Sequence, residues 1–191
     1  DHENPVVAIG LYYTEGYLHH EAFSGGVVLK HTIPKTPEEV GLIPVLTDGG
    51  ERLVISIPLN DKELFAQVWL KKLGSVSLYL LDTNISQNNT TNQNITQRLY
   101  PGDKEIRFKQ EMLLGIGGMR LIHALKVHPI VYHLNEGHSA LLTFEIAYHE
   151  MARHGKSFKE ELVHTRQRIV FTNHTLIAAG NDTFSRDMVS V

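Results

Sequence analysis

The chain has 191 residues, 42% of them hydrophobic, and 18 Lys and Arg against 21 Asp and Glu give a formal charge of −3. That balance gives no reason to expect a nucleic-acid footprint or an anionic-membrane partner, and no apolar run is long enough to span a bilayer. The absence of cysteine excludes a disulfide framework and a thiolate metal site, and fits a reducing compartment. The N-terminus does not read as a signal peptide, so Asn-x-Ser/Thr triplets such as Asn84-Ile85-Ser86 and Asn94-Ile95-Thr96 carry no meaning here. The length suits one domain, or a piece of one, with a sizeable core.

The first half reads mainly as strands. Val6-Val7-Ala8-Ile9-Gly10-Leu11-Tyr12 is short and apolar throughout, as a doubly covered strand is. Asp48-Gly49-Gly50 signals a turn, after which Leu53, Ile55 and Ile57 alternate with polar or smaller neighbours. Leu64, Ala66, Val68 and Leu70 share one parity of the next run, and residues 76–81 form a third. Short connections between these runs favour antiparallel pairing. Residues 84–97 are rich in Asn, Gln and Thr and read as an exposed loop.

The second half changes character. Between residues 104 and 125, Ile106, Met112, Leu113, Ile116, Met119, Leu121, Ile122 and Leu125 recur at helical spacing, with Asp103 placed as an N-cap. Gly115, Gly117 and Gly118 weaken such a helix by roughly 1 kcal/mol each, which a close helix–sheet contact explains. They follow no strand and lack the dinucleotide fingerprint, so they do not read as a phosphate cradle. A strand over 129–134, a helix over 138–152, a short helix near 158–166 and a strand over 168–172 follow. Their alternation is a βαβ unit with a parallel sheet.

The chemistry gathers at two strand ends. His133-Leu134-Asn135-Glu136-Gly137-His138 follows the apolar run Pro129-Ile130-Val131-Tyr132, and Asn173-His174-Thr175 follows Ile169-Val170-Phe171-Thr172. Ligands of open α/β sheets bind at carboxyl ends of strands. Asn and Gly are also ordinary turn residues, and Glu suits the first turn of a helix, so either turn alone is only a helix start or a loop. Two such turns suggest one polar pocket that offers donors and acceptors together, as sugar hydroxyls require. Metal is disfavoured. His149-Glu150 followed by His154 is one residue too long for a zincin pair, and His133, Glu136 and His138 fit no standard zinc spacing. His19, His20, His31, His123, His128 and His164 carry no assigned role.

Several motifs, in order, resemble the α-glucan (glycogen/maltodextrin) phosphorylases. They are Tyr79-Leu80-Leu81-Asp82-Thr83-Asn84, Leu99-Tyr100-Pro101-Gly102-Asp103, Glu105-Ile106-Arg107-Phe108-Lys109-Gln110-Glu111, Gly115-Ile116-Gly117-Gly118, residues 133–140 and residues 171–182. The likeness is dense from about 76 to 182 and thin before that. It implies an α/β fold: a partial Rossmann-like N-terminal domain of a GT-B glycosyltransferase, incomplete over 1–191. A β-rich antiparallel segment occupies about 1–83 and a βαβ part about 98–191. It also implies a parent enzyme that transfers glucosyl units from α-1,4-glucan ends to orthophosphate, giving glucose 1-phosphate with retention. The family's cofactor is pyridoxal phosphate on a lysine of the second domain, which lies outside this chain, and its phosphate takes part in proton transfer. No metal, nucleic acid or membrane enters. The parent is a cytoplasmic enzyme and a possible homodimer.

Position by position, the family's glucose-subsite loop matches Asn135, Glu136, Gly137 and His138, although the other branch of the family has Asp where Glu136 stands. The histidine whose backbone carbonyl faces the reacting sugar matches His174, beside Asn173. The gate loop matches Tyr100-Pro101-Gly102-Asp103 but is shorter, and Leu176 stands where the family has Pro. The resemblance thus implies substrate-binding roles for Asn135, Glu136, His138, Asn173, His174 and Asp103. No catalytic or cofactor-binding residue is assigned within this chain, and the isolated fragment is expected to be inactive. The rival reading is a non-catalytic carbohydrate-binding or scaffold module on the same fold.

Overall fold

The computed structural model describes residues 5–16, 19–22, 24–26, 28–31, 34–175, 177 and 181–189. Asp1 and His2, Leu176, residues 178–180 and the side chains of His19, His20 and His31 lie outside the described residues. The chain forms two compact units, Asp1–Val54 with Leu64–Asp103, and Ile55–Glu63 with Lys104–Val191. No helix among the described residues is long and apolar enough to cross a membrane.

The first unit is built on a mixed sheet. Strands β1 (Val6–Leu11), β4 (Ile43–Pro44), β6 (Lys62–Leu73) and β7 (Val76–Asp82) form it in the order β1-β7-β6-β4, whereas β5 (Val54–Leu59) belongs from Ile55 onward to the second unit. A separate antiparallel pair joins β2 (His19–Ala22) and β3 (Val28–His31). Strands β6 and β7 run antiparallel from Gln67↔Asp82 to Leu73↔Val76, whereas β1 runs parallel to β7. Alternation in β6 explains its position. Leu64, Ala66 and Val68 are buried on one face and Gln67 and Trp69 on the other. Trp69 packs with Tyr12 and Leu42, and the Arg52 guanidinium covers its ring at 5.0 Å. The all-apolar β1 is partly buried over Val7–Gly10. It lies at the sheet edge, with Leu11 buried and Val6 half exposed.

Residues 84–97 are mostly exposed, as their composition implies, but they are not a plain loop. They contain a helical turn, α1 (Thr90–Gln93), and a 3-10 turn (Asn94–Thr96), and Asn88, Ile95 and Thr96 are buried. Amides and hydroxyls of this segment substitute for ladder hydrogen bonds. Asn88 Oδ1 accepts from the Phe65 N–H at 3.1 Å, and its amide donates to the carbonyls of Phe65 and Thr83 at 2.7 Å each. Buried Asp82 is satisfied similarly, by Gln67 Nε2 at 2.8 Å, Trp69 Nε1 at 3.1 Å and the Asn84 N–H at 2.9 Å. The few buried polar side chains of this segment, Asn88 and Thr96, are thus accommodated because their polar atoms are paired.

The second unit holds α2 (Lys104–Met112), one π turn (Leu113–Gly117) and α3 (Gly118–Ala124) in succession, over the span the helical spacing implies. Then come β8 (Tyr132–Asn135), a 3-10 turn (Gly137–Ser139), α4 (Leu141–His154), α5 (Phe158–Arg166), β9 (Ile169–Thr172) and α6 (Arg186–Val189). Strands β8 and β9 pair in parallel, from Tyr132↔Ile169 to Asn135↔Thr172, with α4 and α5 between them in sequence. Gly115 serves a different contact from the helix–sheet approach expected. A Cβ on Gly115 would lie 2.7 Å from the Leu142 nitrogen and 3.0 Å from the Leu141 Cβ, so the π turn abuts the start of α4. Strand β8 starts only at Tyr132. Ile130, 87% exposed, and Val131 precede it, so the apolar run Pro129–Tyr132 is not a buried strand.

Candidate functional site

The turn after β8 is the centre of the site. Asn135 ends the strand opposite Thr172, and the Glu136 N–H extends the ladder by donating to the Thr172 carbonyl at 2.8 Å. Glu136 then turns sharply, with φ 61° and ψ −176°. That region is nearly restricted to glycine and costs a side-chain-bearing residue about 1–3 kcal/mol, so surrounding contacts must hold it. One such contact is visible: Glu136 Oε1 accepts the His174 backbone N–H at 2.6 Å. The His174 ring meets Asn135 Oδ1 through Nε2 at 3.1 Å, and because an amide oxygen only accepts, this nitrogen carries the proton. Asn135, Glu136 and His174 therefore form one group across the ends of β8 and β9.

Asn173 and His133 are occupied otherwise. Asn173 Oδ1 accepts from the Thr175 N–H at 2.8 Å, folding the side chain over its own turn. The His133 Nε2 meets Thr172 Oγ1 at 2.7 Å, although His133 itself stands two pairs back along the ladder, opposite Val170. Asp103 is exposed at the end of the first unit, directly before α2.

His138 belongs to a second group, whose other members the sequence reading did not single out. Arg107 and Glu111 lie one turn apart on α2, and Asp182 lies in the loop after β9. Arg107 Nε donates to Asp182 Oδ2 at 2.9 Å and lies 3.5 Å from Glu111 Oε1. Arg107 Nη2 makes a short contact with His138 Nδ1 and lies 3.3 Å from Nε2. The Glu111 and Asp182 oxygens stand 3.7 and 3.8 Å from His138 Nδ1. Glu111, His138 and Asp182 each offer a ligand atom within 4.8 Å of the others, the geometry of a small cation site. The Arg107 guanidinium contacts all three, however, and its positive charge serves where a metal ion would. Arg107 and Glu111 are buried, yet their run of charged residues looks like a solvated helix face, which is why sequence alone passed over them.

Other histidines serve helix packing. His149 meets Glu145 at 3.2 Å, and His154 meets the buried Glu161 at 3.0 Å through Nδ1. The His123 ring stands edge-on to His149 with centroids 4.5 Å apart, and burial, then the His149 charge, lower its pKa. A cleft of about 490 Å³ in the first unit is lined by Arg52, Gln67, Asn84 and Gln87. Arg52 there is already bonded to Gln67 at 2.8 Å.

This is a mixed α/β chain with a polar site at the ends of two parallel strands, and it is homologous to the maltodextrin and glycogen phosphorylases, as its motifs imply. It is 40% identical to maltodextrin phosphorylase of Thermococcus litoralis over 94% of its own length. It is 37% identical to glycogen phosphorylase of Mycobacterium tuberculosis over 97% of its length, and 26% identical to that of Aquifex aeolicus, also over 97%. The chain spans only about 22% of the first two relatives and 27% of the third, which is consistent with a fragment. No family model matches the chain.

Proposed function

We propose that the chain is part of an α-glucan phosphorylase, whose parent moves glucosyl units from α-1,4-glucan ends to orthophosphate and releases glucose 1-phosphate with retention. Its segment here is part of a Rossmann-like N-terminal domain of GT-B type. Identity of 40% to a maltodextrin phosphorylase across 94% of the chain carries this reading. The hydrogen bond between the two turns that bear the resemblance, Glu136 to His174, supports it geometrically.

In this reading Asn135, Glu136, His138 and His174 form part of the sugar subsite, with Asn173 shaping its turn and Asp103 standing in the gate segment. Sugar hydroxyls need donors and acceptors at fixed positions, which imidazole, amide and carboxylate supply together. Glu136 orients and stabilises charge. The two histidines position the sugar, and no residue of this chain is assigned as proton donor. Pyridoxal phosphate, through its phosphate group, would supply proton transfer in the parent. Its lysine is placed outside residues 1–191, and no residue here is assigned to hold it. The partners are glucan and phosphate, in a cytoplasmic enzyme that forms a possible homodimer.

The test is release of glucose 1-phosphate from maltoheptaose, orthophosphate and pyridoxal phosphate. The parent is expected to release it, and residues 1–191 alone are not. Release by the 191-residue chain would overturn the fragment reading.

A further inference from the structure

Asp82, from the Tyr79-Leu80-Leu81-Asp82-Thr83-Asn84 motif, is almost fully buried in the first unit, and the proposed function gives it no task. Its Oδ2 accepts from Gln67 Nε2 at 2.8 Å and from Trp69 Nε1 at 3.1 Å. With the nitrogen of the Gln67 amide bound there, its oxygen is left to accept elsewhere. Gln67 Oε1 accepts from Arg52 Nη1 at 2.8 Å, and the Arg52 guanidinium lies over the Trp69 ring at 5.0 Å. A buried carboxylate thus orients an exposed guanidinium through one buried amide. The remaining Arg52 donors meet no other described residue. Arg52 lines the cleft of about 490 Å³, a volume within the range of roughly 300–1,000 Å³ common to small-molecule sites. Glu51, Asn84, Ser86 and Gln87 line it too, all exposed and with side chains bonded to no other described residue. Val54 and Ile85 add half-buried apolar surface. One guanidinium beside one carboxylate leaves no net charge to draw an anion. What the cleft offers is donors from Arg52, an acceptor at Glu51, and amides and a hydroxyl that do both, which is the complement of a polyol.

We propose that this cleft is a saccharide-binding site of the first unit, additional to the turn after β8, and that it takes a short neutral oligosaccharide. Hydroxyls bond to Arg52, Glu51 and the Asn84 and Gln87 amides, and the C–H face of a sugar ring covers Val54 and Ile85. Asp82 and Gln67 are positioning residues that hold Arg52 ready for it. Naming the oligosaccharide an α-1,4-glucan rests on the phosphorylase reading; the polyol chemistry does not.

The test titrates maltoheptaose into the ¹⁵N-labelled 191-residue chain. Trp69 is its single tryptophan, so the indole N–H signal is identified at sight. The side-chain amide signals of Asn84 and Gln87 are assigned by their loss in Asn84→Ser and Gln87→Ala. All three are expected to shift saturably with one binding constant. Arg52→Met, which keeps an apolar stem over the ring and removes every donor, is expected to weaken that constant by about tenfold or more, the worth of one hydrogen bond from a charged group. Absence of shifts at Trp69, Asn84 and Gln87 in the native chain overturns the proposal even if Arg52→Met fails to fold. Native affinity in folded Arg52→Met overturns it too. Shifts produced by orthophosphate and not by maltoheptaose overturn it in favour of an anion site. Shifts confined to Asn135, His138 and His174 overturn it while leaving the phosphorylase reading intact. A native parent without phosphorolysis, with the three cleft signals still shifting, removes that reading and leaves the saccharide site standing.

Discussion

Glu136 and His174 are bound to each other across the ends of adjacent parallel strands, the carboxylate of one accepting the backbone N–H of the other at 2.6 Å. The bond offsets an unfavourable backbone at Glu136, whose φ of 61° favours glycine. Glu136→Ala keeps the strain and loses the bond, and should cost roughly 1–3 kcal/mol. Glu136→Gly relieves the strain while losing the same bond, so it should melt above Glu136→Ala. Equal melting temperatures would show that the backbone at 136 is not strained.

The π turn makes a second prediction. A Cβ at Gly115 would stand 2.7 Å from the Leu142 nitrogen, a backbone atom that a rotamer change cannot move. Gly115→Ala should therefore destabilise by about 1–3 kcal/mol, despite alanine's better helix propensity. A denaturant titration with unchanged or raised midpoint would contradict the close contact.

Asn88 tests the burial of the polar segment. Its side chain makes three hydrogen bonds to the backbone of Phe65 and Thr83. Asn88→Ala leaves those buried groups unpaired, at about 1–3 kcal/mol for each one that water cannot reach. The loss should show as early hydrogen exchange at the Phe65 amide. Retained protection there would mean the side chain is dispensable.

These elements mark how far the sequence can be read. Helical spacing over 104–125 and alternation over 64–70 report burial on one face, and such periods are visible in residue types. Asn88 was misread because composition records polarity and not pairing: an Asn that replaces a ladder bond looks like an Asn in a loop. Arg107 was missed for the same reason, since a buried charge among charged neighbours has no local signature. Ile130 and Val131 erred in the other direction, as an apolar run with no strand partner among the described residues. Within the candidate site, the Asn135-Glu136-Gly137-His138 and Asn173-His174 turns were visible as motifs, whereas the partners that hold His138 come from α2 and a distant loop.

The start of α5 carries a pH-dependent cap. Ser157 and Glu160 form a reciprocal capping box, and the Ser157 hydroxyl, then its backbone N–H, hold the Glu160 pKa below its usual value. A depressed folded pKa gives a contribution present above the unfolded value and lost as pH falls through the folded one. Acidification below the ordinary carboxylate range should weaken α5, and Glu160→Gln should remove that part of the acid dependence. Ser157→Ala should cost about 1 kcal/mol at neutral pH. Identical acid melting curves for Glu160→Gln and the native protein would contradict the cap.

The central claim is that the turn after β8 belongs to a sugar subsite of a glucan phosphorylase, and it is tested most directly by the kinetics of His138→Ala in the parent enzyme with maltoheptaose and orthophosphate. Loss of one hydrogen bond that strengthens in the transition state should cost roughly 2–4 kcal/mol in kcat. KM should move little, because remote glucan units bind elsewhere. The melting temperature of the same variant should stay near that of the native enzyme. Unchanged kcat, or a loss accounted for wholly by unfolding, would contradict the assignment of His138 to the site.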